Sequence, residues 1–171
     1  MAFTEAISLS NSMYDHITNK IRVGYPNACV LYIDRIINAS LLDAYNERKQ
    51  AIAESTTVTE MELFHGTKAD NVDSICNNGF LVQYNRTSAY GLGTYFSTNP
   101  SYSMFNYTNV DKRGVSFVCD VLIGKCELGG HSRKIKADNA VDNLTKPSIY
   151  VTPYDDGCYP KYLVAFHKNA K

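Results

Sequence analysis

The sequence predicts an α+β domain and not an alternating α/β one. The clearest helical patterns fall within the first 55 residues. The remainder breaks into short apolar or alternating stretches divided by polar turns, with only brief helical pieces among them. Strand and helix signals therefore do not alternate one for one, as a parallel βαβ sheet would require.

The elements follow in order. Phe3, Ala6, Ile7, Met13, Tyr14, Ile17 and Ile21 include pairs three or four apart, which predicts an amphipathic helix over 1–24, broken by Gly24 and Pro26. Residues 29–37 are rich in β-branched and aromatic side chains and predict a strand. Ser40 stands before a run of strong helix formers and is the N-cap candidate for a helix reaching about Ser55. Residues 61–65 read as a strand. Val72, Ile75 and Cys76 share one face of a helix over 69–78, which Gly79 closes. A polar loop over 85–93 precedes a short strand over 94–97. Pro100 opens one or two helical turns reaching Tyr107. Val115, Phe117, Cys119, Val121 and Ile123 alternate, as a strand with one buried face does. Residues 129–146 read as a second polar loop, and 148–154 and 162–167 as closing strands.

The length of 171 residues fits a single domain over 1–171, with an N-terminal helix at 1–24 and a core over about 29–167. Lys plus Arg equals Asp plus Glu, 17 against 17, which argues against a general binder of nucleic acid or membrane surface. Five cysteines without Cys-x-x-Cys spacing imply neither a disulfide framework nor a zinc ribbon. No apolar run approaches a membrane span, and residues 1–16 carry Glu5, Asp15 and His16 where a signal peptide needs apolar residues. An intracellular protein, cytoplasmic or nuclear, without metal and without membrane contact, is the expectation.

Four patches carry chemistry. Leu63-Phe64-His65-Gly66-Thr67 ends an apolar strand in a polar trio; His65 donates and accepts near neutral pH, and Gly66 leaves its backbone open to a ligand. Tyr90-Gly91-Leu92-Gly93-Thr94-Tyr95-Phe96-Ser97 brings backbone close to a neighbour and follows it with aromatics. Ser101-Tyr102-Ser103 with Phe105 and Tyr107 sets hydroxyls beside aromatic faces, which suits a flat polar ring. Pro147-Ser148-Ile149-Tyr150-Val151 leads to Asp155-Asp156-Gly157 and Tyr159-Pro160-Lys161-Tyr162-Leu163-Val164; the paired aspartates beside glycine read as a hairpin or loop. Core packing is the other use of the second and third patches, and a purely structural histidine the other reading of the first.

In this order the patches resemble the poly(ADP-ribose) polymerase-like ADP-ribosyltransferases, most closely the mono-ADP-ribosylating macrodomain-containing and dioxin-inducible types. The resemblance covers about Cys29 to Phe166. Arg35-Ile36-Ile37-Asn38, Asn85-Arg86, Val121-Leu122-Ile123-Gly124 and Val141-Asp142-Asn143 also fit. It implies the ADP-ribosyltransferase fold, with a mostly antiparallel β core, and NAD as co-substrate. By resemblance His65 is the ribose-binding histidine, Tyr95 the tyrosine packed in the nicotinamide pocket, and Ile149 the third triad position. Gly66 and Ser103 match the groups that hold the carboxamide, with Thr67 and Tyr90 beside them in the NAD site. Tyr107 is the stacking aromatic, with Phe105 and Tyr102 as alternatives. The donor loop, about Leu81 to Tyr90, is several residues shorter than in the types it most resembles.

An acid at position 149 would polarise an acceptor ribose hydroxyl, and Ile149 has no polar group to do so. The implied activity is therefore single ADP-ribose transfer from NAD to an acceptor, a protein side chain first, with nicotinamide released. A nucleic-acid end, NAD hydrolysis and a catalytically silent binding module are the competing readings. Lys112-Arg113 and His131-Ser132-Arg133-Lys134 are the basic clusters a terminal phosphate would use.

Overall fold

The computed structural model describes residues 2–8, 11–85, 88–105 and 113–168. Along the chain run β1 (Phe3–Ala6), α1 (Ser12–Gly24), β2 (Ala28–Ile37), α2 (Ala39–Ala53), β3 (Thr59–Thr67), α3 (Val72–Asn78), β4 (Thr94–Ser97), α4 (Pro100–Phe105), β5 (Arg113–Ile123), β6 (Cys126–Leu128), β7 (Asn139–Val141), β8 (Ile149–Thr152) and β9 (Cys158–Lys168). Short 3₁₀ turns occupy Ala69–Asn71 and Val82–Tyr84. The strands form one sheet in the order β1-β2-β9-β5-β3-β4-β8-β7-β6. Every strand pair is antiparallel except β6 with β7. The α+β expectation holds.

Period-two alternation in β3 sends neighbouring side chains into different cores. Leu63 packs with Ile75, Cys76, Phe80, Phe96, Phe117, Cys119 and Val121. Phe64 packs on the other face with Ile17, Ile21, Met104, Val118, Val164 and Phe166. Ile17 and Ile21 are fully buried, and each contributes about 1.5–3 kcal/mol by leaving water. Among the described residues no helix is long and apolar enough to cross a membrane.

Several local expectations are corrected. The helix over 1–24 begins only at Ser12, where Asn11 Oδ1 accepts from the Met13 N–H at 2.9 Å. Phe3–Ala6 instead forms an edge strand on β2, in register Phe3↔Ile37 to Ala6↔Asp34. Phe3 is 60% exposed, so it was never part of the buried stripe that Ile17 and Ile21 define. The cap of α2 is Asn38, not Ser40: its Oδ1 accepts from the Leu41 N–H, while its amide donates to the carbonyls of Cys76 and Asn77. That second set of bonds comes from α3 and is invisible in the local sequence. The polar loop over 129–146 contains β7, whose three residues are all buried between β6 and β8. Of the two readings of Asp155-Asp156-Gly157, hairpin or loop, the loop holds, because β8 pairs with β4 and β7 while β9 pairs with β2 and β5. It is a connection between distant strands.

Candidate active site

Pairing between β3 and β4 meets only at Phe64↔Ser97, although β3 continues three residues further and stays paired with β5 to Thr67↔Val115. The β4-facing edge of β3 is therefore open beside His65, Gly66 and Thr67. A cavity of about 510 Å³ lies here, lined by His65, Gly66 and Thr67, by Asn71 and Ile75 around α3, and by the 79–85 segment that follows it. Thr67, Asn71, Ser74 and Asn85 set polar groups among Ile75, Phe80 and Leu81, as a site for a polar small molecule does.

His65 closes the inner end. Its Nδ1 lies 2.8 Å from the Tyr95 carbonyl oxygen. A carbonyl only accepts, so Nδ1 carries the proton and Nε2 keeps its lone pair. The ring meets Phe80 edge-on at 4.6 Å and Phe96 at 5.6 Å. Burial among these rings pushes the His65 pKa down to about 4, against the pull of the Tyr95 carbonyl. His65 is thus a neutral acceptor at physiological pH. The Ser116 hydroxyl donates to the His65 carbonyl at 3.1 Å and steadies the strand from below.

Tyr95 is not among the residues that line this cavity. Its hydroxyl accepts from the Tyr90 N–H at 2.9 Å and donates to the Gly91 carbonyl at 2.8 Å, so both functions are used within the turn preceding β4. Burial pushes its phenol up. Tyr90 and Tyr95 pack against a small buried cluster of Ile135, Ala140, Ile149 and Val151. Gly91 has a φ of +124°, and a Cβ there would meet Ile135 at 2.9 Å. At Gly93 a Cβ would stand 2.3 Å from the Thr152 carbonyl oxygen. These two contacts explain why the Tyr-Gly-x-Gly-x-Tyr spelling needs its glycines.

Ile149 is 5% exposed and faces β4 through the pair Ser97↔Ile149. Asp142 receives the Ser148 N–H at 2.9 Å, the Ile149 N–H at 3.0 Å and the Ser148 hydroxyl. Burial works against ionisation there, but these bonds outweigh it and hold the carboxyl below the usual range. Ser103 is buried in α4 and donates to the Phe64 carbonyl at 3.1 Å, one residue before His65. Thr67 is buried, its hydroxyl accepting from the Asn71 amide at 3.1 Å.

The structure thus gathers His65, Gly66 and Thr67 on the cavity wall. It joins Tyr90, Tyr95 and Ile149 in one cluster and bonds Ser103 of α4 to the Phe64 carbonyl on β3. Tyr107, Arg86 and Lys112 lie outside the described residues. Tyr102 is 48% exposed on α4. Among the described residues no three His, Cys, Asp or Glu side chains come together as a metal site requires. The sequence reading passed over Phe80, which supplies the ring face nearest His65. Its only local signal is its place directly after the helix-closing Gly79.

The family described as the poly(ADP-ribose) polymerase catalytic domain matches residues 12–148. The chain is 32% identical over 177 residues to human protein mono-ADP-ribosyltransferase PARP14, covering 93% of this chain and 10% of that protein. It is 29% identical over 181 residues to mouse protein mono-ADP-ribosyltransferase PARP12, covering 96% of this chain and 25% of that protein. Against mouse protein mono-ADP-ribosyltransferase PARP10 the identity is 26% over 181 residues, covering 95% of this chain and 18% of that protein. The chain spans a quarter or less of the length of these three relatives.

Proposed function

Because the chain belongs to the poly(ADP-ribose) polymerase catalytic-domain family, we propose that it is a mono-ADP-ribosyltransferase. It moves one ADP-ribose from NAD to an acceptor, a protein side chain in the first instance, and releases nicotinamide. The observation that carries this reading is a neutral histidine with a free Nε2 lone pair at the end of an open strand edge.

The residues suit the chemistry. His65 Nε2 accepts from a ribose hydroxyl of NAD and orients the sugar. The unpaired edge of β3 at Gly66 offers backbone N–H and C=O to the carboxamide, with Ser103 beside it on α4 and an aromatic, Tyr107 by resemblance, stacking on the ring. Thr67 lines the wall, and the saturated Tyr95 holds Tyr90 and the turn before β4. Nicotinamide leaves as a neutral ring from a cationic glycoside, so departure needs no general acid. Holding the nicotinamide while the ribose develops positive charge favours an oxocarbenium-like transition state. The buried Ile149 has no polar atom to activate a ribose hydroxyl as the next acceptor, which leaves transfer at one unit.

The test is incubation with labelled NAD, wild type beside His65→Ala and Gly66→Trp, read by intact mass. One added ADP-ribose on the wild type alone supports transfer at this cleft. Free ADP-ribose without protein labelling points to hydrolysis. No turnover, with no thermal shift from NAD or nicotinamide, makes the domain a silent binding module and overturns the proposal.

A further inference from the structure

The segment lining the outer wall of the cavity is held by a residue 73 positions further along the chain. The 3₁₀ turn Val82–Tyr84 has no side-chain cap from its own N-cap residue, Leu81. Asp155 supplies one: its Oδ1 accepts from the Val82 N–H at 2.7 Å. Phe80, Leu81, Tyr84 and Asn85, which flank that bond, all line the cavity. At the far end the Asn85 amide donates to the Thr94 hydroxyl at 2.8 Å, so the wall is pinned at two points.

Asp155 is itself held in place. Its neighbour Asp156 takes a two-pronged bond from Arg48 of α2, Nε to Oδ1 at 2.8 Å and Nη2 to Oδ2 at 3.1 Å. The same guanidinium lies 4.3 Å from the centroid of the Tyr154 ring. The Gly157 N–H returns to the Tyr154 carbonyl at 3.3 Å. Planar stacking and forked donation together give the turn one geometry, which a single flexible contact would not. The 153–157 connection, which forms no hairpin, therefore works as a strut between α2 and the cavity wall.

We propose that Asp155 is a positioning residue that holds the 80–85 wall in its NAD-binding form. This rests on the reading of the cavity as the NAD site. Asp155 touches no reacting atom; it lowers the ordering cost that NAD binding would otherwise carry. An asparagine keeps an oxygen acceptor at the same place, and an alanine does not.

The experiment compares wild type, Asp155→Ala and Asp155→Asn by NAD kinetics and by hydrogen exchange over 80–85. Asp155→Ala raises the KM for NAD about three- to tenfold with kcat within about twofold. Asp155→Asn recovers most of that loss, and exchange of the 80–85 amides quickens in the alanine variant alone. Unchanged KM and exchange in Asp155→Ala overturn the proposal, as does a loss confined to kcat or one that asparagine does not rescue. A wild type that neither binds nor consumes NAD overturns the functional reading itself, and the exchange arm still decides whether Asp155 holds the wall.

Discussion

His65 Nδ1 donates across 2.8 Å to the carbonyl oxygen of Tyr95, joining β3 to β4 just beyond the point where their pairing ends. One bond settles three things. It selects the tautomer, leaves Nε2 without a proton on a residue that lines the cavity, and ties the histidine to the turn that holds the tyrosine hydroxyl.

The first prediction concerns pH. The His65 pKa falls from 6.5 in the unfolded chain to about 4 in the fold. Between these values the unfolded chain binds more protons, so falling pH destabilises the fold through His65, and the penalty vanishes above 6.5. Denaturant unfolding of wild type and His65→Gln at pH 7.5 and pH 5 will show the wild type losing about 2 kcal/mol relative to the variant at the lower pH. An equal difference at both pH values refutes the neutral histidine. Turnover should show no His65 inflection between about pH 5.5 and 8.

Tyr95→Phe removes a hydroxyl that both accepts and donates within the 90–95 turn. Leaving Tyr90 N–H and Gly91 C=O without this partner costs about 1–3 kcal/mol. Activity falls with it, since the turn bears on the His65 partner strand. Full stability by urea unfolding would show that water replaces the hydroxyl at no cost.

Two glycines make a matched pair. Gly93→Ala drives a Cβ to 2.3 Å from the Thr152 carbonyl oxygen, which is backbone and has no room to retreat. It should lose about 1–3 kcal/mol. Gly130→Ala meets only the flexible Arg133 side chain, at 2.7 Å from its Cδ, and should stay within about 0.5 kcal/mol of wild type. Thermal denaturation of both variants reads the contrast.

Ile149→Glu places a carboxyl in the cluster of Ile135, Ala140 and Val151. Without a partner there it should lower stability by about 2–5 kcal/mol. It should also yield no polymer, because contacts to an acceptor chain do not arise from one side chain. Long polymer on a gel from this variant would defeat that expectation.

Much of the fold was legible in local pattern. Strand β4 falls where the short run over 94–97 predicts it, and Val115 to Ile123 lies in β5, although Val118 and Leu122 are buried as well, so that strand is covered on both faces and not on one. Gly79 closes α3 with a φ of +73°, as a glycine at that place should. Such features depend on neighbours a few residues apart, and spacing records them directly. The His-Gly-Thr trio and the Tyr-Gly-x-Gly-x-Tyr run were also visible, since each is a run of consecutive residues.

The rest depended on closure of the chain. Phe3–Ala6 has a helix-compatible spacing, and only the free edge of β2 makes it a strand. Ser40 is a sound local cap, yet Asn38 wins because its amide also reaches the carbonyls of α3. Phe80 meets His65, and Asp155 meets Val82, across 15 and 73 positions, where no periodicity operates. By itself the sequence determined most element types and the buried stripe of Ile17 and Ile21, because each is a property of neighbouring side chains. The tertiary structure alone decided which strands pair, which histidine nitrogen is free and what holds the cavity wall, because those are set by groups that meet only after the chain has folded.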